Sequence, residues 1–496
     1  MNNDYDGDDI MRLDIDDLYE QLCGDDGDYD DDDEDIPFDT AKPEDEVTVR
    51  AQVKPAEPEE LNVSFADVYG YENVKSALYR IVDMATHAEK YTRLGVRMPH
   101  GIMLYGEPGV GKTMMAKAMM HDMHRPVYIL RKVQADSAFM EMISAAFEAA
   151  AENAPSVILL DDMDKFSSGR GCTNEFAAVQ AGIDRVKDKD VLVVATVNDI
   201  DRLPGALCRH GRFDRRIEVS LPGIEDSAVI ISRYLADKKV SRDVNMKTVA
   251  KLLDGYTCAS LDSILNDAGM FAGFEDKDEI SMRDIIQAVL ADIYSVDTTA
   301  SISAEQKTET AYHEAGHAAA SMLLRPGSVS IASVRGKSRG PQGFIQTIGG
   351  YGDSYENFCS RIIAGLAGRA ATEIKYGSLD MGSSSDICKA GEMCDVLVED
   401  ICANGLSYAY IDPRKESDNT MNNRNMQRSR MLEDFYNEAK KLLRGNWNLV
   451  ECIAKALAEK ETLICDDLDA IFADYITGTG RNSKDGIILA GMRRAA

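Results

Sequence analysis

A short apolar run, Gly101-Ile102-Met103-Leu104-Tyr105, leads straight into Gly106-Glu107-Pro108-Gly109-Val110-Gly111-Lys112-Thr113 and then into the helix-forming stretch Met114-Met115-Ala116-Lys117-Ala118-Met119-Met120. Strand, glycine-rich turn and helix in that order leave few folds open, because a strand end and a helix N-terminus must meet around one anion site. Glycines let the backbone approach phosphate closely, and successive N–H groups then point at it. The spacing G-x-x-x-x-G-K-T assigns Lys112 to the β- and γ-phosphates of ATP and the Thr113 hydroxyl to Mg²⁺.

The surrounding pattern extends this unit into a sheet. Val157-Ile158-Leu159-Leu160 ends in Asp161-Asp162, and Val191-Leu192-Val193-Val194-Ala195 ends in Thr196-Val197-Asn198. Near-continuous apolar strands alternating with helices predict a parallel sheet covered on both faces. Asp161, at a strand end, is the expected Mg²⁺-organising carboxylate, and Asp162 is positioned to orient an attacking water. Residues 224–295 read as helices alone, the size of a small lid. After a polar break at 297–303, residues 304–475 read as mainly helical around a Gly-rich stretch at 327–352.

A second motif lies about two hundred residues downstream of the first. His313-Glu314-Ala315-Gly316-His317 places two histidines at i and i+4, on one helical face, where both imidazoles can bind one Zn²⁺. Glu314 lies beside the first ligand and can take a proton from a water at the metal. A catalytic zinc needs a third protein ligand, which the residue pattern alone does not select among so many acids. A nucleotide motif and a hydrolase motif in one chain point to ATP-driven proteolysis.

Composition narrows the alternatives. The chain has 496 residues and a formal net charge of −30. Residues 1–60 hold 24 Asp and Glu against four Lys and Arg, so most of the excess is local. Without a basic face, nucleic acid is not an expected partner and a DNA-linked ATPase is disfavoured. Adsorption to anionic lipid is disfavoured for the same reason. No apolar run approaches the ~18 residues of a membrane span, and the acidic N-terminus is no signal peptide. The ten cysteines lack C-x-x-C spacing and read as reduced thiols of a cytoplasmic protein. Residues 1–36 read as a solvated tail, with Met11, Ile15, Leu18, Tyr19 and Leu22 near helical spacing as a docking element for a partner. Pro43, Pro55 and Pro58 mark a linker.

Several longer segments carry a family resemblance. Val63-Ser64-Phe65-Ala66-Asp67-Val68-Tyr69-Gly70, the phosphate loop and the acidic strand end resemble an AAA+ ATPase. Within that superfamily the chain resembles the FtsH-type ATP-dependent zinc metalloproteases. The run Arg209-His210-Gly211-Arg212-Phe213-Asp214-Arg215 is similar to the family's R-P-G-R-F-D-R, which implies that Arg209 and Arg212 are fingers acting on a neighbouring subunit's nucleotide. Asn198 matches the sensor residue, and Gly255-Tyr256-Thr257-Cys258-Ala259-Ser260-Leu261 resembles the lid signature G-F-S-G-A-D-L.

Residues 365–374 resemble the L-x-G-R-A-A-E-E helix, and Ser385-Asp386-Ile387 matches N-D-I, which implies Asp386 as the third zinc ligand. Residues 340–346 then correspond to an edge strand that pairs with an extended polypeptide substrate. Three departures stand out. An acidic tail replaces the family's N-terminal transmembrane helices, Asp161-Asp162 replaces Asp-Glu, and Phe139-Met140 is the nearest counterpart of the aromatic-apolar-Gly pore loop.

The expected organisation is an acidic tail and linker (1–60), an α/β AAA+ nucleotide-binding domain (61–223), a helical lid (224–300), a mainly α-helical zinc metalloprotease domain (301–480) and a C-terminal tail (481–496). The expected assembly is a homo-hexamer that feeds polypeptides to the zinc site. The alternative is a remodelling chaperone with a non-proteolytic zinc domain.

Overall fold

The computed structural model describes residues 54–132, 138–167, 174–209, 211–294, 303–335, 343–349, 354–378, 381–399, 401 and 418–479. The acidic tail, His210, residues 340–342 of the expected edge strand and the segment 481–496 lie outside the described residues.

After α1 (Glu72–Thr86) and α2 (Ala88–Thr92), strands and helices alternate: β1 (Gly101–Tyr105), α3 (Lys112–Met123), β2 (Val127–Arg131), α4 (Ala138–Glu152), β3 (Ser156–Asp161), α5 (Asn174–Val186), β4 (Val191–Val197) and β5 (Arg215–Glu218). The five strands are parallel, in the order β2-β3-β4-β1-β5. Strands β3 and β4 are buried along their whole length, as expected where helices cover both faces. The two-residue period of the strands sorts their side chains into two cores. Ile102, Leu104, Val157, Leu159, Leu192 and Val194 enter one. Met103, Ile158, Leu160, Val193 and Ala195 enter the other.

The lid comprises α6 (Ile224–Leu235), α7 (Met246–Leu252), α8 (Cys258–Phe274) and α9 (Met282–Tyr294). Side-chain caps set where two of these helices begin. The Asn245 side chain accepts from the N–H groups of Lys247 and Thr248 ahead of α7, and Thr257 accepts from Ser260 N–H ahead of α8.

The remaining elements are α10 (Ala304–Leu324), β6 (Val329–Ser333), β7 (Phe344–Thr347), α11 (Tyr355–Tyr376), α12 (Ser384–Glu399), α13 (Asp418–Gly445), α14 (Trp447–Lys460), β8 (Thr462–Ile464) and α15 (Cys465–Thr479). The Gly-rich stretch thus contains two strands, joined with β8 in a three-stranded antiparallel sheet of order β7-β6-β8. One face of this sheet packs on the protease helices through Val329, Ala332 and Leu463. Ile331, Phe344 and Ile464 join the core that contains the lid residues Val249, Leu252 and Leu253. Strand β7 is an edge, paired only with β6 among the described strands. Among the described residues, no helix is long and apolar enough to cross a membrane.

Candidate functional site

The phosphate loop connects β1 to α3, and three of its glycines hold positive φ: Gly106 at 147°, Gly109 at 84° and Gly111 at 97°. An added Cβ on Gly106 would lie 2.1 Å from the Val219 carbonyl oxygen, so no side chain fits there. The Lys112 ammonium folds back and donates to the carbonyls of Gly106 and Glu107 at 2.8 and 2.7 Å. Burial pulls its pKa below the ordinary value, against the nearby carboxylates of Asp162 and Asp164.

Asp161 Oδ1 accepts from the hydroxyls of Thr113 (2.7 Å) and Thr196 (2.8 Å), which brings the two expected magnesium-binding groups into direct contact. Asp162 has φ 54°, and its N–H donates to Thr196 Oγ1. Its carboxylate accepts from Asn198 Nδ2 at 3.2 Å and from Lys165 Nζ at 2.7 Å. Burial works against ionising Asp162, yet the bonds from Lys165 and Asn198 hold its pKa below the ordinary value.

Lys112, Thr113, Asp162, Lys165 and Asn198 line a cleft of about 720 Å³ between the sheet and the lid, completed by Tyr71, Ile230, Arg233, Tyr234, Cys258 and Ala259, and Asp161 adjoins it through the Thr113 hydroxyl. Arg209 and Arg212 are not among its lining residues. Arg212 donates instead to Asp184 (2.9 Å) and to the Ala206 carbonyl (2.8 Å), and Arg209 is exposed. Phe139, the nearest counterpart of a pore aromatic, is buried edge-on against Phe166 and offers no projecting ring. Its neighbour Met140 is exposed with Glu141 and Met142, because the buried face of helix α4 returns only at Ile143, four residues after Phe139.

The second site is built from three helices. Helix α10 carries His313, Glu314 and His317, and α12 supplies Asp386 from its first turn. Asp386 Oδ2 lies 3.1 Å from His313 Nε2 and 3.2 Å from His317 Nε2, and the two Nε2 atoms are 3.1 Å apart. Donors of a tetrahedral zinc site stand about 3.3–3.4 Å apart, so this triangle fits one ion after a slight expansion. His317 Nδ1 lies 2.7 Å from the Ala364 carbonyl. A carbonyl only accepts, so Nδ1 carries a proton, which leaves Nε2 for the triangle. Burial opposes ionising Asp386, but both histidines outweigh it and hold the carboxyl far below the usual carboxylate range.

Two glycines of α10 and α11 make room for this arrangement. An added Cβ on Gly368 would lie 2.3 Å from His317 Nε2 and 2.7 Å from His313 Nε2, which is where a metal would sit. Gly316 lets α10 press on α11: a Cβ there would lie 2.5 Å from the Ala367 carbonyl oxygen. The donor set, the triangle and the notch at Gly368 together fit zinc.

A cleft of about 940 Å³ opens beside the triangle, flanked by β7, α10, α11 and α12. Glu314 is buried at its floor. Gly343, just before β7, abuts it so closely that an added Cβ would lie 2.7 Å from Glu314 Oε1.

The structure thus brings His313, Glu314, His317 and Asp386 together at one cleft, and residues 108–113, Asp162 and Asn198 together around the other, with Asp161 bonded to Thr113 and Gly106 and Glu107 outside its lining. Sequence reasoning passed over Thr196, Lys165, the Ala364 carbonyl and the notch at Gly368. Only Thr196 and Gly368 carried a signal, as parts of the strand-end and helix motifs.

Comparison with known proteins assigns both halves. Residues 102–221 match the ATPase family associated with various cellular activities (AAA), and residues 300–471 match peptidase family M41. The chain is similar to the FtsH-type metalloproteases, with an AAA match followed by an M41 peptidase match. It is 30% identical over 447 residues to the ATP-dependent zinc metalloprotease FtsH of Streptobacillus moniliformis, covering 83% of this chain and 64% of the relative. The protein of the same name from Mycoplasmoides gallisepticum is 31% identical over 445 residues, 82% of this chain and 57% of the relative. An Arabidopsis thaliana relative, ATP-dependent zinc metalloprotease FTSH 6, chloroplastic, is 28% identical over 454 residues, 83% of this chain and 65% of the relative. The chain therefore spans less than two thirds of the length of these relatives.

Proposed function

We propose that this FtsH-type chain is an ATP-dependent zinc metalloendopeptidase. The observation that carries the reading is the convergence of His313, His317 and Asp386 around the notch at Gly368, beside buried Glu314 and an edge strand. His313, His317 and Asp386 would hold zinc, which supplies Lewis acidity at the scissile bond when bound. Strand β7 offers its unpaired edge to an extended polypeptide and aligns the backbone along the cleft. The Glu314 carboxylate takes the proton of the attacking water and delivers it to the leaving amine. The Ala364 carbonyl keeps the His317 imidazole in the required tautomer.

In the motor half, Lys112 leaves the carbonyls of Gly106 and Glu107 to meet the β- and γ-phosphates, and Thr113 with Asp161 holds magnesium. Asp162 orients the attacking water, and Asn198 holds the Asp162 carboxylate in place. Arg209 and Arg212 lie outside the chain's own nucleotide cleft, which supports a role on a neighbouring subunit of a ring, and we propose a hexamer. The domain divisions at 61–223, 224–300 and 301–480, action in the cytoplasm, and partner docking through the acidic N-terminal tail belong to the same proposal.

A chelation and substitution experiment tests the enzyme. Casein should be degraded with ATP and spared after chelation. His317→Ala or Asp386→Ala should lower zinc content. Glu314→Gln should keep zinc and lose cleavage. Full zinc in a His313→Ala, His317→Ala double variant would overturn the metal assignment, and ATP-stimulated remodelling without any cleavage would favour the chaperone.

A further inference from the structure

The lid segment 254–259 runs from the phosphate loop to the chain just beyond β7. At one end it covers the phosphate loop: Ala259 N–H donates to the Gly109 carbonyl at 3.1 Å, and Cys258 Sγ lies 3.7 Å from the Val110 carbonyl. Gly109 and Thr257 pack so closely that an added Cβ on the glycine would lie 3.0 Å from Thr257 Oγ1. At the other end, Asp254 Oδ2 accepts from the N–H of Gly349 at 2.5 Å. Gly349 lies two residues beyond β7.

The same peptide region is held from the zinc side. The Gly349 carbonyl accepts from Arg325 Nη2 at 3.3 Å, and Arg325 directly follows α10, the helix of His313, Glu314 and His317. Ile348 N–H donates to the Ser328 carbonyl at 2.8 Å. An added Cβ on Gly349 would lie 3.1 Å from Asp254 Oδ2, so a side chain there would push the carboxylate back by a few tenths of an ångström. Around this contact the lid and the small sheet share one apolar core, and Thr248 of α7 donates to Asp466 of α15 at 2.8 Å.

We propose that Asp254 is a positioning residue that transmits the state of the nucleotide cleft to the edge strand β7, and so sets the affinity of that strand for an extended peptide. The inference rests on the reading of β7 as the peptide-binding strand. A nucleotide touches both the phosphate loop and the lid, because Gly109, Val110, Cys258 and Ala259 line one cleft. Its differential contacts with loop and lid can therefore bias the lid's position. Five residues of chain and one charge-assisted hydrogen bond then carry that bias to the end of β7, between the lid core and the zinc helix. Without Asp254 the lid still packs on the sheet, but the strand end loses its only hydrogen bond from the lid among those described.

The test uses full-length protein carrying Glu314→Gln, which can bind peptide without cutting it. Affinity for a fluorescent unstructured peptide is measured by anisotropy with ADP and with a non-hydrolysable ATP analogue. The two affinities should differ by about fivefold or more. Asp254→Ala should bring the ratio to one while zinc content stays constant. Asp254→Asn, whose amide oxygen still accepts, should keep most of the ratio. Gly349→Ala, which crowds the carboxylate but keeps the N–H, should lower the ratio only in part. By reciprocity, peptide should shift nucleotide affinity by the same factor, and this too should vanish in Asp254→Ala. A parent that binds peptide with equal affinity in both nucleotides, or an Asp254→Ala variant that keeps the full ratio, would overturn the coupling alone. A zinc-loaded wild-type protein that neither binds nor cuts peptide would instead overturn the peptidase reading on which the coupling rests.

Discussion

Gly368 and Gly316 show how a single hydrogen in place of a methyl group decides chemistry in one case and packing in the other. A Cβ on Gly368 would press on the tips of both imidazoles, at 2.3 Å from His317 Nε2 and 2.7 Å from His313 Nε2. Gly368→Ala should therefore displace the histidines and lose zinc, read by metal analysis. Retained zinc in that variant would contradict the assigned notch. Asp162 poses a different single-residue question. Its carboxylate accepts from both Asn198 and Lys165, so Asp162→Asn removes the charge that would act on water while the loop that holds phosphate is untouched. Nucleotide binding should persist and steady-state hydrolysis should fall, and an unchanged rate would make Asp162 idle.

At the scale of elements, α13 is tied to α11 by one buried-side carboxylate. Glu373 accepts from Lys440 Nζ at 2.6 Å and from the Tyr436 hydroxyl. Burial raises its pKa, but these two partners outweigh it and hold the carboxyl below its ordinary value. A carboxyl depressed in the folded state contributes stability above its unfolded pKa and loses it as pH falls through the folded one. Denaturation midpoints of wild type and Glu373→Gln should therefore differ most near neutrality and converge as the pH drops to about 4 and below. Equal stability of the two proteins at neutral pH would show that the clamp contributes nothing.

At the scale of the whole molecule, the proposed ring would have Arg212 complete a neighbouring subunit's cleft. The residue pairs with Asp184, outside the lining of its own nucleotide cleft. Arg212→Ala should bind nucleotide but slow hydrolysis by ~10³ or more, as for other arginine fingers. Lys112→Ala should abolish hydrolysis outright. Mixing the two inactive proteins should restore part of the rate, because a Lys112→Ala subunit still supplies Arg212 to its neighbour. Normal turnover by Arg212→Ala alone would remove the inter-subunit site.

Local spacing carried what local geometry can decide. A strand, six loop residues and a helix suffice to place Lys112 and Thr113, and a four-residue interval suffices to put His313 and His317 on one helical face. The family motifs extended this to Asp386 and Asn198, and near-continuous apolar runs foretold β1, β3 and β4. Packing decided the rest. Asp386 reaches the histidines only because α12 begins beside α11, and the Ala364 carbonyl and the Gly368 notch exist only where α11 presses on α10. Phe139 faces inward because Phe166, brought up from a distant turn, completes the core around it. Strand β8 joins β6 across more than a hundred residues, and Asp254 meets Gly349 across nearly as many. Such contacts depend on which surfaces the folded layers bring together, and the spacing of residues along the chain holds no record of that.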